Sequence, residues 1–110
     1  MKSGIYEASF TTNQGTLGTG AVLIKNGSFA GADGLQFFRG EIEETGDDVS
    51  VVMEVTRHNL AIASAFGAEP QFTLTWRGKS QGDSAFRLAC EPPGVDITIY
   101  VTGRLIKEAG

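Results

Sequence analysis

Few side chains in this sequence are equipped for chemistry. His58 is the only histidine and Cys90 the only cysteine. A nucleophilic triad needs a histidine beside a serine or cysteine and a carboxylate. His58 falls instead at the expected end of a strand, next to Asn59, where a structural or surface role accounts for it. Cys90 is in phase with Phe86 and Leu88 along an alternating stretch, so it reads as a small buried hydrophobe. No lysine or arginine flanks it to stabilise a thiolate. One histidine and one cysteine make no zinc constellation. Gly15, Gly18 and Gly20 are spaced like a phosphate loop, but they precede a strand rather than a helix, and no Gly-Lys-Ser/Thr follows. The expectation is a binding or regulatory protein rather than an enzyme, with no catalytic residues, cofactor or metal site.

The most concentrated polar feature is acidic: Glu41, Glu43, Glu44, Asp47 and Asp48. It reads in two ways. It is a solvated hairpin tip, or it is a docking surface for a basic partner, since complementary charge steers association and fixes register. The second reading puts Glu43, Glu44, Asp47 and Asp48 at a partner-binding site.

The elements that must position these residues are strands. Over residues 4–12, Tyr6, Ala8 and Phe10 alternate with Glu7, Ser9 and Thr11, and Ile5 is the exception. Asn13-Gln14-Gly15 breaks the run. A second strand covers 18–25, and Asn26-Gly27 marks a tight hairpin because both turn positions need positive φ. Strands over 28–31, 35–43 and 49–57 follow, the last with Val49, Val51, Met53 and Val55 on one face. Residues 59–66 break the pattern, as a short helix capped by Asn59 or as a plug-like loop. Strands over 71–77 (Phe72, Leu74, Trp76), 84–90 (Phe86, Leu88, Cys90) and 95–105 (Val95, Ile97, Ile99, Val101, Leu105) complete the chain. Gly18, Gly20 and Gly40 share parity with core residues, so they let strands bend at barrel corners or leave room inside for a ligand.

About eight strands at hairpin spacing demand antiparallel neighbours. The fold class expected is all-β: an antiparallel up-and-down barrel of about eight short strands, one domain over residues 1–110, in which closure removes both sheet edges. A two-sheet sandwich is the alternative and would need residues 59–70 as its long connection. Two strands are apolar on both faces: Val22 and Ile24 against Ala21 and Leu23, and Phe38 and Ile42 against Leu35 and Phe37. Only one face of a barrel strand is interior. Ala21, Leu23, Leu35 and Phe37 are therefore expected to pack on a second copy of the chain.

Composition limits the partners. The 110 residues carry a net charge of −4 with nine dispersed Lys and Arg, which argues against nucleic acid, because phosphate binding needs clustered cations. The 15 glycines and three prolines fit many short strands joined by tight turns. The single cysteine forbids an internal disulfide and fits a reducing compartment. The opening MKSGIYEASF lacks the apolar run of a signal peptide, and no stretch is long enough for a membrane-spanning helix. Cytoplasmic residence without a membrane partner is expected.

The N-terminal GIY, then GTGAVLIKNGSFAGAD, FFRGEI, VTRHN, AFGAEPQFTLTWRG and the terminal VDITIYVTGRL resemble, in order and spacing, the GrlR family of negative regulators of type III secretion. The resemblance spans nearly the whole chain. It implies a lipocalin-like eight-stranded barrel that dimerises through apolar walls and represses by binding a transcriptional activator rather than DNA. It also implies a role for an acidic surface motif. Here the matching hairpin reads EIEETGDD, split by Thr45-Gly46, and the family's GGD turn reads Gly31-Ala32-Asp33. The functional expectation is thus a GrlR-like negative regulator that sequesters a protein partner. The alternative is a small carrier or sensor of an apolar ligand in the barrel interior.

Overall fold

In the computed structural model, each alternating segment pairs with its chain neighbour, and the last pairs with the first. The structure describes residues 1–13, 15–34, 36–57, 71–94 and 96–109. The strands are β1 Gly4–Thr12, β2 Gly15–Lys25, β3 Ser28–Ala32, β4 Gln36–Thr45, β5 Asp48–Arg57, β6 Gln71–Ser80, β7 Ala85–Cys90 and β8 Ile99–Glu108. They form a closed antiparallel barrel in sequence order. This is the all-β up-and-down architecture expected, and the sandwich alternative is set aside. Among the described residues there is no helix, hence none long and apolar enough to cross a membrane. The helix or plug loop expected over residues 59–66 lies outside the described residues, as do His58, Leu35 and Val95.

Local chemistry sets the hairpins. Asn26 and Gly27 both take positive φ, 52° and 81°, as a two-residue hairpin turn requires. Between β1 and β2 the register slips after Phe10↔Gly18 to Thr11↔Thr16. Gly18, with φ 135°, sits at this bulge, a backbone conformation open to glycine.

β2 starts three residues earlier than expected, at Gly15, and β6 ends three residues later, at Ser80; both ends of β8 differ as well, and pairing explains them. β8 begins at Ile99 rather than at residue 95, because β1 and β7 both run out there, at Thr12↔Ile99 and Cys90↔Ile99. It continues to Glu108 because Gly4 of β1 pairs with Glu108. Ile97 is left outside the strand, half-buried against the core.

Alternation fills the interior. Tyr6, Ala8, Val22, Ile24, Phe38, Val51, Val55, Leu74, Trp76, Leu88, Ile99 and Val101 are all buried. Phe10 meets Phe38 edge-on at 6.0 Å and Trp76 at 6.3 Å between ring centroids, a favourable aromatic arrangement. Three core phenylalanines lie beside glycines of the neighbouring strand: Phe29 beside Gly40, Phe38 beside Gly31, and Phe86 beside Gly103. At Gly103 the Phe86 ring occupies the space that a side chain would take, whereas at Gly31 and Gly40 a backbone oxygen, of Ala21 and of Val52, is met first.

Candidate functional site

The acidic hairpin lies at the barrel end that also carries the Asn26-Gly27 turn and the start of β1. Strand parity sends its four acids to different places. Glu43 is on the outer face of β4, exposed. Glu44 has inward parity, so it leans over the barrel mouth and accepts a hydrogen bond from the Met1 ammonium at 2.6 Å. The Met1 side chain is 3 % exposed and packs on the core beneath. Asp48 has outward parity and pairs with Lys79 directly across β5 and β6. That hydrogen bond holds the Lys79 ammonium above its usual range. Asp47 sits in the turn, where its backbone carbonyl accepts from the Ser80 N–H at 2.8 Å. Among the described residues, the carboxylates of Glu43 and Asp47 make no ion pair. The hairpin therefore brings all four acids to one end, with Glu44 and Asp48 in ion pairs and Asp47 near enough to Lys79 to add to its upward shift.

Tyr6 is buried at the same end. Its hydroxyl donates to the Lys2 carbonyl at 2.7 Å, and the Asp83 carbonyl stands 3.3 Å away. Burial pushes the Tyr6 phenol up, helped by the charges of Asp83, Glu44 and Glu108.

The outer wall carries a second feature. Ile5 pairs with Leu23, and Leu23 with Ala30, in one row. Ala21 pairs with Ala32, and Ala32 with Phe37, in the next. All six are exposed, Ile5 at 45 %, Leu23 at 49 % and Phe37 at 48 %. A slip between β1 and β8 leaves Ile106 as an extra residue beside this patch, 58 % exposed. Of the residues expected to face outward, Ala21, Leu23 and Phe37 do so. Leu35 lies outside the described residues. Ile5, which interrupts the alternation of the first strand, belongs to the patch. Ile106 does too, but it falls beyond the strand end expected at residue 105. Ion pairs flank the patch on both sides: Arg104 with Glu7 at 3.2 Å and Arg39 with Glu54 at 3.8 Å.

Inside the barrel lies a cavity of about 50 Å³ whose lining is wholly apolar and includes Met1, Phe10, Phe38, Met53 and Trp76. Cys90 is 3 % exposed, and burial pushes its thiol up to about 11. Its surroundings are those of a packing residue, since a thiol so shifted is almost wholly protonated near neutrality. Among the described residues, no group of three or more His, Cys, Asp or Glu is placed to hold a metal ion.

No protein-family model matches the chain, and no curated protein matches it.

Proposed function

We propose that this barrel works as a protein-binding module: a homodimer joined through its outer wall, with the acidic hairpin offered to a basic partner. The observation that carries the reading is the contiguous apolar patch over β1–β4. Strands about 4.8 Å apart make it on the order of 15 Å across, with charged flanks that would form the polar rim of an interface. A second copy is the occupant that fits. The β8 flank holds Arg104, Glu7 and Lys107, which pairs with Ile5, and the β5 flank holds Arg39 and Glu54, so a two-fold axis that lays one flank on the other can set cations against anions. The interior supports the same choice. The apolar void among the described residues, about 50 Å³, is well below the roughly 300–1,000 Å³ of pockets for drug-sized molecules.

By its likeness to the GrlR family, the partner is a transcriptional activator and the outcome repression by sequestration, with no direct DNA contact. Residence in the cytoplasm goes with this role and with the unpaired Cys90. The hairpin is tested by capture from native lysate, identification of the bound protein, and association rates with that purified protein. Glu43→Gln/Asp47→Asn removes the two acids that are not in ion pairs. The expected result is a basic DNA-binding regulator whose association slows several-fold in the variant, with the gap closing at high salt. A captured partner that associates equally fast with the folded variant would contradict this role for the hairpin.

A further inference from the structure

The nine Lys and Arg are scattered along the chain, but the barrel gathers four of them on the outer wall of β6–β8. Arg77 and Lys79 on β6, Arg87 on β7 and Arg104 on β8 all have outward parity and are exposed. Lys79 pairs directly with Arg87, although like charges directly opposite one another in a sheet are destabilising. Arg77 pairs with Ala89, and Arg104 with Ala85. Each therefore stands diagonally from Arg87, on opposite sides of it, at about 7–8 Å. The three arginine positions fall on one line across three strands.

The acids within reach leave this line partly unmatched. Asp48 holds Lys79. Glu7 accepts from Arg104 Nε at 3.2 Å and lies 3.2 Å from its Nη2, which leaves other N–H groups of that guanidinium to spare. Arg77 and Arg87 make no ion pair among the described residues, and neither does Glu91, one residue past the end of β7. A shallow groove beside Arg87 and Arg104 is also lined by Gln81, Ser9 and Thr102, which add amide and hydroxyl donors.

The geometry points to this wall as a docking surface for an acidic, extended segment of a protein partner, with carboxylates at alternate residues meeting Arg77, Arg87 and Arg104. Alternate residues of an extended chain lie about 6.5–7 Å apart on one face, close to the diagonal spacing of the arginines. Arginine also presents the fork that a carboxylate takes. Acids at consecutive positions would point to opposite faces and meet the line only in part. The net charge of −4 repels a polyphosphate at long range, which favours a short acidic segment over a nucleic acid. The inference is separate from the roles given to the acidic hairpin and the apolar wall, and its test reads β6–β8 alone.

The isotope-labelled full chain is titrated at low ionic strength with three peptides of equal length. They are Gly-Asp-Ser-Asp-Ser-Asp-Gly, Gly-Ser-Asp-Asp-Asp-Ser-Gly, and the first with Asn for every Asp. The backbone amides of Arg77, Arg87 and Thr102 should shift saturably with the first, bind the second about threefold more weakly, and ignore the third. Arg87→Gln should weaken the first about three- to fivefold, the worth of an exposed ion pair. It also relieves the like-charge pair with Lys79, so the barrel stays folded. Arg39→Gln, which changes an arginine on β4, should leave the affinity unchanged. Equal affinity for the two acidic peptides, an Arg87→Gln that binds as wild type, or shifts confined to other amides would overturn the inference. So would tighter binding at the same amides by an oligothymidylate of equal charge, whose bases would stack on Tyr100, 42 % exposed on the same face.

Discussion

The seam that closes the barrel can be tested at Gly103. This residue pairs with Phe86 on β7 and with Ala8 on β1, and it faces inward. A Cβ placed there would lie 2.1 Å from Phe86 Cζ and 2.2 Å from Cε2, whereas carbon atoms settle at about 3.5–4.0 Å. The ring would have to retreat by more than an ångström, but it is 6 % exposed and packs on Tyr6 at 6.0 Å. Gly103→Ala should therefore cost about 1–3 kcal/mol by overpacking, lessened by the few tenths that alanine gains by restricting the unfolded chain. Phe86→Leu should cost about 1–2 kcal/mol on its own. Leucine removes the atoms that the new methyl would strike, so the double variant should fall short of additivity by about 1–2 kcal/mol. Gly40→Ala with Phe29→Leu is the control. At Gly40 the nearest atom is the Val52 backbone oxygen at 1.9 Å, which no change at Phe29 can move, so that pair should add to within about 0.5 kcal/mol. Urea unfolding of the single and double variants measures each value. Additive losses at Gly103 and Phe86, or a neutral Gly103→Ala, would refute the placement of this ring over this glycine.

Cys90 should resist alkylation at neutral pH in the folded state and react freely once unfolded, and mass spectrometry after a timed pulse of iodoacetamide checks both. Its folded pKa of about 11 lies above its ordinary 9.0, so the protonated thiol stabilises the fold below about pH 9, and that contribution is lost as pH rises toward 11. The difference is worth on the order of 2–3 kcal/mol at most. Urea midpoints measured between pH 8 and 11 should accordingly fall more steeply for wild type than for Cys90→Ala. Tyr6→Phe removes the hydrogen bond to the Lys2 carbonyl. It should cost about 1 kcal/mol and speed amide exchange at Lys2, whose N–H donates to the Asp83 carbonyl, leaving the far end of the barrel unaffected.

What the sequence disclosed, and what it withheld, follows from the range of the interactions. Asn26-Gly27 was legible because a hairpin turn depends on the φ values of two adjacent residues. The inward faces of β5 and β7 were legible because period two is local, so Val49, Val51, Met53, Val55, Phe86, Leu88 and Cys90 all fall where alternation places them. Outward Leu23 and Phe37 were found as apolar residues out of phase. The start of β8 was misplaced because it depends on where β1 and β7 end, which is a fact about pairing far along the chain. Ile106 was missed for the same reason. The acidic hairpin was seen as a unit, but its division into paired and unpaired acids depends on strand parity at the barrel mouth and on Met1, which is 43 residues away from Glu44. The Trp76 indole N–H, buried with no hydrogen-bond acceptor among the described residues, has no sequence signal, since an aromatic in phase with Leu74 looks the same whether or not an acceptor stands beside it.

The central claim is that the apolar outer wall joins two copies of the chain. Sedimentation equilibrium at micromolar concentration, run on wild type and on Leu23→Glu, tests it most directly. Leu23 is already half-exposed, so the substitution leaves the folded barrel within about 0.5 kcal/mol of wild type and places a charge at the centre of the patch. Wild type should sediment at twice the 11.6 kDa chain mass and the variant at the chain mass, with unchanged circular dichroism. A wild-type protein that sediments as a monomer, or a folded Leu23→Glu that stays dimeric, would contradict the account.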